Sequence, residues 1–326
     1  MTMTPDALAA QLSVAAPALK AWGAYVVKQV SEMLLAEIGP ERYKTFFKVA
    51  PSSRVKDAAS AIKKLAKKGY ENPFEQMTDL IGARFVVLLR TDLEALEQVM
   101  VSHAGWNASR ERHYEYEAEA DPEVFDYQSI HFLLRSVGDD TKDGVFIPDN
   151  TTCEVQIRTI LQHAYAELCH DRIYKTEELI PASAKRMVAR CMALMETTDL
   201  MFCEAAKEIE QISVDRMAWI TFLTAEYFGI TTKQLPLDDP ACVQIVEVYL
   251  HLLDGVKMPD VAGEIAHPAL RANIVGRSAA PGLFASPACI LCYWLASNHH
   301  TEVVRAWPNE ALRADFDLVR ADLGCA

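Results

Sequence analysis

The stretch Thr152-Cys-Glu-Val-Gln-Ile-Arg158 alternates without a break. A strand points successive side chains to opposite faces, so Cys153, Val155 and Ile157 belong to a buried face and Glu154, Gln156 and Arg158 to a polar one. Upstream, Ser129-Ile-His-Phe-Leu-Leu-Arg135 alternates in the same way. Arg84-Phe-Val-Val-Leu-Leu89 is a run of β-formers expected as a buried strand. Asp92 caps a predicted helix to about Met100, a polar strand is expected near Arg110–Tyr116, and a helix follows Thr159 to about Lys175. At the N-terminus, Leu8, Leu12, Tyr25, Val26, Val30, Met33 and Leu34 recur at helical spacing over 6–38, and Gly39-Pro40 ends that run. Helix, strand, helix, strands, helix is the order of an α+β domain with a mixed sheet. From Pro181 onward only helices are expected: one over about 182–212, then, after Leu235-Pro-Leu-Asp-Asp-Pro240, several short ones. The expected divisions are a helical segment 1–40, a mixed-sheet domain 41–212 and an all-helical region 213–326.

With 326 residues, 51% of them hydrophobic, the chain can build a large core. No apolar stretch approaches the roughly 20 residues that span a bilayer. Met1-Thr-Met-Thr-Pro-Asp6 lacks the basic and apolar regions of a signal peptide and reads as a helix start. Eight scattered cysteines do not form a disulfide framework. A cytoplasmic protein without membrane partners is expected. Cys289 and Cys292 form one CxxC, with His299 and His300 beyond it; this reads as buried apolar cysteines on a helix, with a zinc site as the alternative.

The formal charge of −13 opposes general binding to nucleic acid. Between Arg54 and Lys68, however, stand six basic residues and one acid, Asp57. A local basic strip on an acidic protein suits a small anionic ligand. There is no Walker motif, so phosphates would need separate basic side chains. Arg54 and Lys56 precede the predicted basic helix, with Ala59, Ile62 and Leu65 on its apolar side, and Ser60 and Lys64 share one of its faces. The strip also reads as a solvated lysine face. Asp79, just before a strand, and Glu154, within one, would suit Mg²⁺, which takes one or two carboxylates beside phosphate oxygens; each alone also reads as a cap or a surface acid. Tyr127, Ser129 and His131 would share one face of a strand, where a tyrosine can stack on a purine.

Four segments in order, Arg54-x-Lys56-x-x-x-Ser60-x-x-x-Lys64, Asp79-Leu-Ile-Gly-Ala-Arg84, Tyr127-Gln-Ser-Ile-His131 and Glu154-Val-Gln-Ile-Arg-Thr159, resemble the synthetase domain of the RelA/SpoT alarmone synthetases. Leu161-Gln-His-Ala-Tyr-Ala-Glu167 and His170-Asp-Arg-Ile-Tyr-Lys175 extend the resemblance, which covers about 40–180. It implies a nucleotidyltransferase-like fold and transfer of pyrophosphate from ATP to the 3′-hydroxyl of GDP or GTP. By the same resemblance, Arg54, Lys56, Ser60, Lys64 and Arg84 would hold ATP. Asp79 and Glu154 would bind Mg²⁺, and Glu154 would draw the proton from the hydroxyl. Tyr127, His131, Gln156 and Arg158 would hold the acceptor.

The resemblance has departures. Asp126 stands where the family usually has glycine, Tyr165 where tryptophan is common, and Glu115 to Asp126 carries six acids and no lysine or arginine where relatives often place basic residues. That acidic loop leaves open an adenine-nucleotide or tRNA 3′-end acceptor, or a silent nucleotide-binding regulator. His170-Asp171 resembles the metal pair of alarmone hydrolases, but only about 50 residues precede the motifs, so no hydrolase domain is expected. His163, Glu167 and His170 share a helical face and are expected to be structural or substrate-side. The helices after 213 are expected to serve oligomerisation or a regulatory partner.

Overall fold

The computed structural model describes residues 3–121, 123, 125, 128–170 and 180–325. They divide into two compact units, Met1–Ala205 and Ala206–Ala326.

In the first unit, helix α1 (Pro5–Phe46) starts at Thr4, whose hydroxyl accepts from the Ala7 amide, with Pro5 in the first turn. It breaks at Gly39, φ 78° and ψ 162°, a conformation open to glycine, and resumes at Pro40. Strand β1 (Phe47–Val55) follows, then α2 (Ala58–Lys68), whose first turn is capped by Asp57 accepting from the Ser60 amide at 2.8 Å. After the single turn α3 (Pro73–Gln76) come β2 (Ile81–Val87), α4 (Thr91–Ser102), β3 (Trp106–Arg112), α5 (Tyr114–Ala120) and β4 (Ile130–Ser136). The hairpin β5 (Asp140–Lys142) and β6 (Val145–Ile147) leads to β7 (Thr152–Thr159), α6 (Ile160–Cys169) and the long α7 (Ala182–Thr231).

The main sheet runs β1-β2-β7-β4-β3, with β2 and β7 parallel and every other pair antiparallel, so the mixed α+β fold is present. Its buried face presents Phe85, Val87, Phe132, Leu134, Val155 and Ile157, packed with Trp22, Val26, Val30 and Leu34 of α1. Burying each such side chain stabilises the fold by about 1.5–3 kcal/mol. Close approach is required at Gly23, where an added Cβ would meet Ser53 Oγ at 2.8 Å and Ile81 Cγ2 at 2.9 Å.

Several elements differ from the sequence reading. β1 is not among the expected strands: it is a bulged edge strand whose alternation is blurred by Lys48, Pro51 and two serines, and it contains Arg54. The strand expected at 84–89 begins at Ile81 and ends at Val87. The basic helix buries Ala61 and Leu65, not Ala59. The polar strand expected near Arg110–Tyr116 ends at Arg112; His113 caps α5 by accepting from the Glu115 amide, and Tyr114 turns into the core. Ser129 precedes β4 instead of lying in it. The long helix runs on to Thr231, and the helix expected to Lys175 is described only in its first part.

The second unit packs α8 (Pro240–Tyr249), α9 (Met258–Glu264), α10 (Pro268–Arg277), α11 (Ala288–Asn298), α12 (His300–Arg305) and α13 (Arg313–Asp322) with the end of α7. Every residue of α11 from Ala288 to Ala296 is buried. Cys289 and Cys292 are among them, and burial pushes both thiols well up. Among the described residues no helix is long and apolar enough to cross a membrane.

Candidate active site

The strand register lays a polar row across all five strands: Ser52, Arg84, Gln156, His131 and Arg112 are successive cross-strand neighbours. At a strand spacing of about 4.8 Å, the row spans about 19 Å. Beside it, Arg54 pairs with Gly82 and Gly82 with Glu154. A cleft of about 480 Å³ opens over this face, walled by Arg54, Lys56, Asp79, Arg84, Gln156, Arg158 and His131, with Arg112 on the far edge strand. The structure thus brings together most of the residues singled out in the sequence.

Their charges are matched. Lys56 Nζ lies 2.6 Å and Lys64 Nζ 2.9 Å from the two oxygens of Asp79. Burial alone would raise the Asp79 carboxyl, but hydrogen bonds and charge from both lysines hold it below the usual value of 3.8. Arg84 donates to Glu167 at 2.9 Å, and His163 Nδ1 stands 3.7 Å from that same carboxylate. Glu154 accepts from Gln156 at 2.9 Å and lies 3.4 Å from His131 Nδ1, while Gln156 in turn accepts from Arg158. Burial, reinforced by Arg112 and Arg158, lowers His131 to about 4, so its ring is neutral at pH 7.

Local structure fixes these positions. Thr159 ends β7 and opens α6 with a capping box, its hydroxyl accepting from the Gln162 amide while the Gln162 side chain accepts from the Thr159 amide. Gln162 is fully buried and Gln128 nearly so, and Gln128 donates to Glu196 of α7 at 2.7 Å. The segment entering β4 is thereby tied to the same helix junction.

Some expected members stand apart. Ser60 is exposed on α2 and does not wall the cleft, while Lys64, on the same face, reaches Asp79. Tyr127, Asp126 and Asp171 lie outside the described residues. Glu167 pairs with Arg84, and no group of three or more histidines, cysteines or acids suited to a metal occurs among the described residues. The stretch read as an acidic loop is in part the helix α5, and two of its acids are engaged: Glu115 with Arg90 and Glu117 with Arg112. Arg112 is a site residue that the sequence reading misses, because the strand expected there continues past it; an arginine immediately before an acidic run is the available signal.

Among curated proteins none matches the chain. Solved structures that resemble it include small alarmone synthetase 1 from Bacillus subtilis bound to its product pppGpp, 20% identical, with a TM-score of 0.48 and covering 61% of this chain and 96% of that one. Small alarmone synthetase 2 from Bacillus subtilis is 21% identical, with a TM-score of 0.45, covering 54% and 90%. A GTP pyrophosphokinase family protein from Streptococcus pneumoniae is 17% identical, with a TM-score of 0.44, covering 60% and 90%. The family model described as the region found in RelA and SpoT proteins matches residues 53–179, the stretch holding every cleft residue named above, and the chain carries a RelA/SpoT domain there.

Proposed function

We propose that the domain transfers the β,γ-pyrophosphate of ATP to the 3′-hydroxyl of GDP or GTP, releasing AMP and making guanosine tetra- or pentaphosphate. The observation that carries this reading is the cleft over the polar row, with cations on both sides of a carboxylate-bearing strand. Arg54, Lys56, Lys64 and Arg84 form the donor side. Such a transfer needs positioning and charge neutralisation more than covalent chemistry, and separated cations on a rigid sheet supply both. Ser60 would bind the donor only if the triphosphate extends along α2.

Asp79 and Glu154 are suited to Mg²⁺: both are part-exposed carboxylates, and Asp79 is held ionised. Bound Mg²⁺ would neutralise charge on the triphosphate. Lys56 and Lys64 would then be free to turn from Asp79 to phosphate oxygens. Glu154 would accept the proton of the attacking hydroxyl, oriented by the amide of Gln156 and by neutral His131. Tyr127 would stack on the acceptor base, and Arg158 would hold Gln156 in place. The helical unit after Ala206 would serve oligomerisation or regulation.

The test is incubation of the pure protein with γ-labelled ATP and, in turn, GDP, GTP, ATP and tRNA. Label appearing on GDP or GTP, and its loss in Glu154→Gln, supports the reading. Label on the 3′ end of tRNA, or on the 3′-hydroxyl of an adenine nucleotide with AMP released, replaces the acceptor. No transfer to any acceptor, with ATP still bound, supports a silent regulator.

A further inference from the structure

Arg112 reaches the cleft from β3, directly opposite His131 across the β3–β4 pair. Its guanidinium is held by Glu117 in a two-pronged contact, Nε at 2.6 and 2.8 Å from the two carboxylate oxygens and Nη2 at 2.6 Å. This is the geometry in which arginine also grips a phosphate. The carboxylate is close enough to the cleft for its charge to act on His131, opposing the effect of Arg112 there.

The acid is delivered by a short, anchored helix. Tyr114 is buried at the start of α5, and Arg90 binds both its hydroxyl at 3.0 Å and Glu115 at 2.7 Å. His113, which caps the helix, lies 3.3 Å from Glu97 of α4. With its first turn fixed in this way, α5 holds Glu117 over Arg112. Glu119, two residues on, is exposed and makes no such pair among the described residues.

We infer that Glu117 occupies, on Arg112, the subsite that a phosphate of the acceptor would take, so that an acceptor carrying a 5′-diphosphate or triphosphate binds only by displacing this carboxylate. Glu117 is then a specificity residue: it disfavours polyphosphorylated acceptors relative to acceptors with no charge at that position. The inference rests on the reading of the Arg112–His131 side as the acceptor side.

The test is equilibrium binding of GDP and of guanosine to the full chain as wild type, Glu117→Gln, Glu117→Ala and Glu119→Gln, alongside transfer assays with both donor and acceptor present. The two Glu117 variants should bind GDP on the order of tenfold more tightly, the scale of removing one nearby like charge. Guanosine affinity should not change, and Glu119→Gln should leave both unchanged. Equal GDP affinity in wild type and Glu117 variants, or an equal gain in Glu119→Gln, overturns the inference. Loss of transfer to every acceptor with the GDP effect intact counts against the proposed reaction and not against the subsite.

Discussion

Lys56 Nζ stands 2.6 Å from Asp79 Oδ2, joining a cation assigned to the donor phosphates to an acid assigned to the metal. Each group is therefore the counter-charge of the other until a ligand separates them.

Asp79→Asn should lower pyrophosphate transfer by about a hundredfold or more, the scale for losing a metal ligand. It should also change acid stability. The folded carboxyl lies below its unfolded value of 3.8, so its contribution is present above that pH and is lost as pH falls through the lowered value. The variant should unfold with a flatter pH dependence in that acid window. Urea titrations from about pH 2.5 to 6 on both proteins, spanning the folded and unfolded values, decide the point; parallel curves would mean that the lysines do not stabilise the charge.

Arg54 is exposed and, among the described residues, is ion-paired to no carboxylate. Arg54→Ala should weaken ATP binding by about tenfold while moving stability by no more than about 0.5 kcal/mol, as for a surface substitution. Lys56→Ala should weaken ATP as well but also destabilise the fold, because it leaves Asp79 with Lys64 alone. Calorimetric titration with ATP and with acceptor, paired with melting curves, separates the two; equal loss of both substrates in Arg54→Ala would remove the arginine from the donor side.

The clean alternation of β7 makes its two faces legible in the sequence alone, and the fold keeps them: Val155 and Ile157 in the core, Glu154 and Gln156 on the polar side. β1 is not legible, because an edge strand needs only intermittent burial and carries polar residues on both faces. The end of β3 is obscured for a related reason. Arg110 to Tyr116 reads as one polar strand, but the buried hydroxyphenyl of Tyr114 and its bond to Arg90 accompany a helical turn there. Pairings such as Glu117 with Arg112 depend on that turn and leave only the juxtaposition of an arginine with acids as a trace.

His131 has a folded value of about 4 against an ordinary 6.5, set first by burial and then by Arg112 and Arg158. Between those two values the unfolded chain binds the proton and the folded one does not. The stability contributed is thus present above about 6.5 and falls as pH drops toward 4. Two outcomes are expected: no inflection in transfer rate from His131 between about pH 6 and 8, and a loss of stability below about pH 6.5 that His131→Asn reduces. NMR titration of the imidazole checks the first directly; a midpoint near 6.5 would mean the ring is solvated.

The second unit takes Trp219, Ile220, Leu223 and Tyr227 of α7 into its core, and Tyr227 donates to the Phe284 carbonyl at 2.9 Å. A chain cut near Asp238, after the last motif and the end of the long helix, would therefore expose four large apolar side chains. A chain ending at Ala205 would not. The fragment 1–205 should be soluble, unfold cooperatively and retain transfer, and the fragment 1–238 should aggregate. Sedimentation and thermal melts compare them; an unfolded 1–205 would show that the first unit cannot fold alone.

Asp199 is 1% exposed, and among the described residues only its Oδ2 has a hydrogen-bond partner, the Thr159 hydroxyl at 2.7 Å. Burial raises its carboxyl above 3.8, with Thr159 and the charge of Arg90 acting in the opposite direction. For an acid raised on folding, the folded state holds the proton longer, so stability falls as pH climbs from 3.8 through the folded value. At neutral pH the charge is a net cost. Asp199→Asn keeps an oxygen to accept from Thr159 and removes that charge, so it should raise the melting temperature at about pH 7 and leave it nearly unchanged at about pH 3. Thr159→Ala should act in the opposite sense, costing about 2–3 kcal/mol by removing the α6 cap and leaving a buried carboxylate with no donor. Because the two side chains share one bond, the effects should not add: Thr159→Ala should cost less in the Asp199→Asn background than in wild type. A double-mutant cycle by urea unfolding at neutral pH measures the coupling. Thr159 immediately follows Arg158 and sets where β7 gives way to α6, so the same cycle run on transfer shows whether this bond positions Gln156 and Glu154. Strict additivity in both readouts would mean that Asp199 is merely buried beside the cap and takes no part in holding it.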